Sequence, residues 1–148
     1  MKLRPPVILC SERELRGYKR RAARAFPKEY LELMFGTVSG QNITIEKLVY
    51  VPQVATRLWV NWKSDDHYED VIAATEAQHG FEFIGTIHSH TLNHDGAEKP
   101  SYADNDSAHA WDEQVFAIDL IAKAKSGKYR HDVHFYRTQK PLEEVGYF

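Results

Sequence analysis

The sequence predicts an α+β fold in which helices flank a mixed β-sheet. Three observations predict it. Apolar residues recur at helical spacing in two places, Leu15-Tyr18-Ala22-Phe26 and Tyr68-Val71-Ile72-Thr75. Around them lie short runs rich in β-branched and aromatic residues, the first at Val7-Ile8-Leu9-Cys10. Turn-forming pairs, Ser39-Gly40 and Ser126-Gly127, separate successive runs as hairpins do. Helices interleaved with strands must bury one stripe each on a sheet face, which gives the layered class.

Taken in chain order, residues 7–10 read as a short strand. Ser11 and Glu14 then make a capping box, Ser11 accepting from the first turn and Glu14 reaching back. The helix they open is ended by Pro27. Leu33-Met34-Phe35 predict a buried strand running to Thr37 or Val38. Residues 39–42 turn, and residues 42–51 return as a strand stopped by Pro52. Residues 56–62 read as a third strand with Leu58, Val60 and Trp62 on one face. Asp66 and Glu69 form another capping box, and Gly80 stands where a helix C-terminus favours glycine. Residues 81–90 make a strand apolar enough to be central, in which Gly85 permits close backbone approach. A polar loop covers 91–99, and Ser101 opens a third helix through about residue 112. Residues 115–121 and 129–137 are strands joined at Ser126-Gly127, and the tail from Gln139 is a loop or short helix.

At 148 residues, with 27% charged and 43% apolar, the chain is expected to be one domain with a core of its own. A net charge of −2 gives no global reason to expect nucleic acid. Nothing resembles a signal peptide or a membrane span, so a cytoplasmic location is the default. Arg13, Arg16, Lys19, Arg20, Arg21, Arg24 and Lys28 crowd the first helix. They read as a solvated face, with a docking surface for an acidic partner as the alternative. Cys10 is the single cysteine, so no internal disulfide or zinc-finger pair exists, and its apolar run predicts a buried inert thiol. Trp59, Trp62 and Tyr68 read as core, with an apolar docking patch as the alternative.

The chemistry concentrates at Gly85-Thr86-Ile87-His88-Ser89-His90. On a strand His88 and His90 share one face and Ser89 points to the other. Two imidazoles on one face suit one metal ion, and Asp104 is a third candidate ligand, leaving a fourth position for water as in a catalytic Zn²⁺ site. Separately these features are weak: eight histidines make a chance H-x-H common, and Ser101-x-x-Asp104 is equally a helix cap. Together with a carboxylate on an earlier strand they supply every part of a metal-water hydrolase. The metal acidifies its water, a nearby carboxylate must move the proton, and Glu29 is the candidate. Ser101 is placed to face the developing oxyanion. His94 and Asp95 are rival ligands in the loop. His67, His79, His109, His131 and His134 read as surface or packing residues. An H-x-H amidohydrolase barrel is excluded by length, since that fold typically needs ~250 residues.

These residues resemble the JAMM (JAB/MPN+) metalloprotease family, in its compact prokaryotic or phage type. Its pattern is an upstream Glu, then H-x-H, about seven residues, and S-x-x-D. The segment P-x-E-x-x-G-x-L-x-G is matched by Pro27, Glu29, Met34 and Gly36. The resemblance spans nearly the whole chain. It implies an MPN/JAB-like, cytidine-deaminase-like three-layer arrangement, His88, His90 and Asp104 as zinc ligands, Glu29 as acid/base and Ser101 as oxyanion support. It implies hydrolysis of a peptide or isopeptide bond, the substrate being a peptide or the tail of a ubiquitin-like protein. A non-catalytic MPN-type interaction module and a hydrolase of small-molecule amides are the alternatives. Three departures stand near the expected groove: ten residues between His90 and Ser101, Thr91 in place of the usual Pro, and Glu32 where a Gly is common. Glu32 is therefore a rival acid/base.

Overall fold

Ser11 Oγ accepts the Glu14 N–H at 3.3 Å and opens helix α1, Glu12–Ala25. This is half of the expected capping box. The Ser11 N–H is taken by the Ile45 carbonyl at 2.9 Å, and the Glu14 carboxylate accepts from Leu48 N at 3.1 Å instead of reaching back. The cap thus ties the helix to a strand rather than to itself. The computed structural model describes residues 7–91, 113–138 and 143–148; the expected third helix lies outside them.

The strands are β1 (Val7–Cys10), β2 (Leu31–Ser39), β3 (Asn42–Tyr50), β4 (Gln53–Ala55), β5 (Val60–Trp62), β6 (Glu82–His90), β7 (Val115–Lys123), β8 (Tyr129–Arg137) and β9 (Glu143–Val145), with helix α2 at Asp65–His79. Seven of them form one sheet in the order β1-β3-β2-β6-β7-β8-β9. The β1–β3 and β6–β7 pairs are parallel and the rest antiparallel, so the sheet is mixed as expected. Parallel neighbours need crossovers, and α1 lies in the connection between β1 and β2.

The two helices bury against opposite faces. Leu15, Tyr18 and Ala22 of α1 pack with Ile8, Met34, Ile45, Ile87, Ala117 and Phe135 from six strands. Tyr68 of α2 packs with Leu31, Leu33, Phe35 and Trp62, and Val71 and Ile72 join from the helix. Alternation along β2 sorts these: Leu31, Leu33 and Phe35 face α2, while Met34 faces α1. Val145 and Tyr147 pack against the α1 cluster too, so the sheet curls around α1. The curl brings its ends together. Phe148 N donates to the Ile8 carbonyl at 2.9 Å and Cys10 N to the Phe148 carbonyl at 2.8 Å.

Three expectations are corrected. Residues 56–62 are not one strand; residues 53–62 fold as the β4–β5 hairpin, a separate two-stranded sheet. Thr56 Oγ1 accepts from Leu58 N and Trp59 N, a side-chain turn that no Gly, Pro or Asn signals. Trp62 is buried, whereas Leu58 is exposed, so they do not share a packed face. Helix α2 is capped by Ser64, not Asp66: Ser64 Oγ accepts from His67 N at 3.2 Å, and Asp65 is held by the Trp62 indole at 2.9 Å. The tail is a strand, because Glu143–Val145 pairs antiparallel with β8.

Both glycine expectations hold. Gly80 ends α2 in the left-handed region at φ 71°. A Cβ on Gly85 would stand 1.7 Å from the Val115 carbonyl oxygen, so only glycine lets β7 approach there. Cys10 is half-buried, and burial pushes its thiol up to about 12, against the opposing effect of Lys19 and aided by Glu14. Among the described residues no helix is long and apolar enough to cross a membrane.

Candidate active site

His88 and His90 stand at the C-terminal end of β6, a central strand between β2 and β7. Alternation puts both on the α2 side, since His88 pairs directly with Leu31. Their Nε2 atoms lie 3.0 Å apart, with ring centroids 4.9 Å apart and planes at 64°. Two nitrogens bound to one tetrahedral zinc at ~2.0–2.1 Å sit roughly 3.3 Å apart. The two imidazoles therefore converge within a few tenths of an ångström of a shared-ion geometry. His88 is buried and His90 half-buried, so one edge of the pair opens outward.

Glu29 is positioned through its neighbour Tyr30. The Ser89 N–H donates to the Tyr30 carbonyl at 2.9 Å, and the Tyr30 N–H donates to Ser89 Oγ at 2.8 Å. This pair continues the β2–β6 register one step past Leu31–His88. One further step places Glu29 across from His90, on the histidine side by alternation. Its N–H donates to the Thr56 carbonyl at 2.8 Å, and the residue is buried. Ser89 points to the opposite face, as expected, and serves as the clamp between the two segments.

Glu32 lies on the other side of the sheet. Its oxygens accept from Arg21 Nε at 2.5 Å, Arg21 Nη2 at 2.9 Å and Tyr30 Oη at 2.5 Å. Burial, then the Glu32 charge, pushes the Tyr30 hydroxyl far above its ordinary value, and the bond to Glu32 raises the Arg21 guanidinium. The departure from Gly at position 32 thus installs a buried ion pair with α1, well away from the histidines. Arg21 belongs to this pair and not to a solvated face. Arg13, Arg16, Arg20 and Arg24 are exposed, and Arg16 contacts Glu12 at 3.5 Å.

The Thr91 departure has a physical account as well. Thr91 Oγ1 donates to the Pro27 carbonyl at 2.7 Å and lies 3.3 Å from the Arg57 carbonyl. A proline there has no such donor. Ser101, Asp104, His94 and Asp95 lie outside the described residues. Among the described residues no group of three His, Cys, Asp or Glu is arranged to hold a metal ion.

One buried acid escaped the sequence reading. Glu113 accepts from Thr86 Oγ1 at 2.5 Å, two residues before His88 on the same strand face. Its carboxylate sits over Gly85, 3.3 Å from where a Cβ would stand. Tyr68 on α2 feels it: burial first, then Glu113, Asp65 and Glu69, push that hydroxyl well up. No spacing marks Glu113, since it precedes its strand and meets β6 only through a parallel crossover. Of the remaining histidines, His131 Nδ1 lies 2.7 Å from buried Asp119, and His134 bridges Asp132 and Glu144 at 2.9 and 2.5 Å. Trp62 and Tyr68 stack in the core with centroids 4.1 Å apart, whereas Trp59 is exposed.

The solution structure of protein DSY2949 from Desulfitobacterium hafniense is similar to this fold at a TM-score of 0.69 and 17% identity, covering 96% of this chain and 92% of that one. A search of curated proteins finds no match. The sequence profile of the prokaryotic homologs of the JAB domain matches residues 12–139, a stretch that holds Glu29, His88, His90, Ser101 and Asp104. The chain belongs to this JAB/MPN family.

Proposed function

We propose that the chain is a zinc-dependent hydrolase of peptide or isopeptide bonds. The observation that carries this reading is the convergence of His88 and His90 Nε2, 3.0 Å apart, on the sheet face that the β2–β6 register gives to Glu29. The family includes peptidases, which agrees with it.

His88 and His90 would hold the ion, with Asp104 as the expected third ligand. Both imidazoles would ligate through Nε2 in the neutral form. When bound, zinc supplies Lewis acidity for the scissile carbonyl and for the attacking water. Glu29 takes a proton from that water on a carboxylate oxygen. The water oxygen joins the carbonyl carbon, the C–N bond breaks, and the proton passes from Glu29 to the leaving nitrogen. Ser101 donates its hydroxyl to the carbonyl oxygen as charge develops there. The hydrogen bonds of Ser89 to Tyr30 and of Glu29 N to Thr56 hold the Glu29 backbone beside the histidine strand, which supports this role. The substrate is a peptide, or the extended tail of a ubiquitin-like protein.

The test combines metal analysis with a peptidase assay. Purified chain should carry one zinc, and His88→Ala should lose it. Glu29→Gln should keep its zinc and lose activity by ~10²–10⁴-fold, the usual contribution of a general acid–base. A chain that takes up no zinc, or Glu29→Gln cleaving as fast as wild type, sinks the proposal.

A further inference from the structure

The turn 56–59 at the tip of the β4–β5 hairpin is joined to the histidine site from two sides. Glu29 N donates to the Thr56 carbonyl at 2.8 Å. Thr91, the residue after His90, reaches the Arg57 carbonyl at 3.3 Å and the Pro27 carbonyl at 2.7 Å. The turn itself is closed by Thr56 N donating to the Trp59 carbonyl at 2.8 Å, with Thr56 Oγ1 accepting two further N–H groups. All these bonds use backbone atoms and threonine hydroxyls. The side chains of Leu58 and Trp59 take no part in them, and they are 70% and 49% exposed.

Such a turn normally carries Gly, Asn, Asp or Ser. Two large apolar side chains side by side in water, on a rigid turn, are the composition of a contact surface. Trp in particular supplies a large, stiff apolar face at small entropic cost. The position is also set. Trp59 is two backbone hydrogen bonds from Glu29 by way of Thr56; at ~4.8 Å each as between strands, their backbones lie no more than roughly 10 Å apart. That is the length of about three residues of extended peptide.

We propose that Leu58 and Trp59 are the specificity element of this site. They receive a large apolar side chain of a peptide substrate, within about three residues of the scissile amide. The inference rests on the hydrolase reading, which sets the scissile bond between Glu29 and the two histidines. The occupant is a peptide side chain because the tip is bonded to the two segments that carry Glu29 and His90.

The experiment uses zinc-loaded full chain and synthetic decapeptides that differ at one position near the cleaved bond, Phe or Leu against Ser. Wild type should prefer the apolar peptides by about tenfold in kcat/KM, the discrimination one apolar contact gives. Trp59→Ala and Leu58→Ser should bring that preference within about twofold, by slowing the apolar peptides more than the Ser peptide, and Trp59→Phe should keep most of it. Equilibrium binding of the same labelled peptides to Glu29→Gln protein gives a readout without turnover. Cleavage without apolar preference, an equal fall on both peptide classes, or a dimer that Trp59→Ala splits overturns this inference and leaves the hydrolase reading intact. Apolar-peptide binding that Trp59→Ala abolishes, with no cleavage by wild type, upholds the inference and removes that reading. No binding and no cleavage overturns both.

Discussion

Arg21→Ala is expected to destabilise the fold by about 3 kcal/mol, and the number comes from the charge it strands. The Glu32 side chain is fully buried and accepts two bonds from Arg21 and one from the Tyr30 hydroxyl. Without the guanidinium, an ionised carboxylate remains in the core with one neutral donor. Breaking a buried ion pair from one side costs about 3–5 kcal/mol. The Arg21 side chain is 38% exposed, so water can enter behind it, and the lower end of that range applies. In a chain of this size 1 kcal/mol moves Tm by roughly 2–4 °C, so a fall of about 6–12 °C is expected. Urea unfolding should give the same loss through the midpoint, with the slope unchanged. Adding Glu32→Gln to Arg21→Ala removes the stranded charge and should recover about 1–2 kcal/mol, a coupling typical of contacting residues. Glu32→Gln alone should cleave substrate at nearly the wild-type rate, because Glu32 faces α1 and not the histidines. A Tm change under about 2 °C for Arg21→Ala would refute the buried-pair argument. Loss of cleavage by a stably folded Glu32→Gln would transfer the acid/base role to Glu32.

Other outcomes rest on single contacts. Ser89→Ala leaves the buried Tyr30 N–H without its acceptor and should cost about 1–3 kcal/mol in urea unfolding, with a larger proportional loss of activity than of zinc. Gly85→Ala should prevent folding or cost more than about 4 kcal/mol, because β7 must move off its register to admit a methyl group; circular dichroism of the expressed variant decides it. Burial alone would lower His134, but its bonds to Glu144 and Asp132 outweigh that and raise it above 6.5. The tether to β9 is therefore complete below pH 6.5 and is lost as pH rises through the higher folded value. Amide exchange in β9, corrected for intrinsic pH dependence, should speed up over that window in wild type and not in His134→Ala. With its thiol near 12, Cys10 should react with iodoacetamide at pH 8 about a hundredfold more slowly than a free thiol, the fall in thiolate being partly offset by greater nucleophilicity.

The features legible in the sequence are local ones. His88 and His90 can be placed on one face because strand alternation needs only neighbours, and α1 and α2 show because helical stripes recur every three or four residues. Glu29 and Glu32 stand as rivals in the sequence; their odd offset puts Glu32 on the α1 side of β2 and, by the register continued past Leu31, Glu29 on the histidine side. Illegible features depend on distant partners. Glu14 looks free to cap its own helix until Ile45 takes the Ser11 N–H. Ser64 and Asp66 are both good caps, and the Trp62–Asp65 bond chooses between frames. The β4–β5 turn is built by one threonine side chain, a weaker signal than Gly, Pro or Asn. Strand β9 exists because β8 has an edge to cover, and three residues of tail carry no pattern that says so. Trp59 and Trp62 look alike in sequence, but Trp59 closes the hairpin turn in water and Trp62 ends β5 in the core.

The closure of the sheet by Tyr147 and Phe148 has a consequence for how the chain is made. Residues 143–148 cover two edges at once, the outer side of β8 through β9 and the outer side of β1 through Phe148. Among the described residues these are what cover the two edges, and without them each edge displays N–H and C=O groups that another chain could take. The earlier strands can pair while synthesis continues, whereas this cover for both edges arrives with residues 143–148. A released chain that lacks Glu143 to Phe148 would lose both covers at once and should aggregate more readily than the whole.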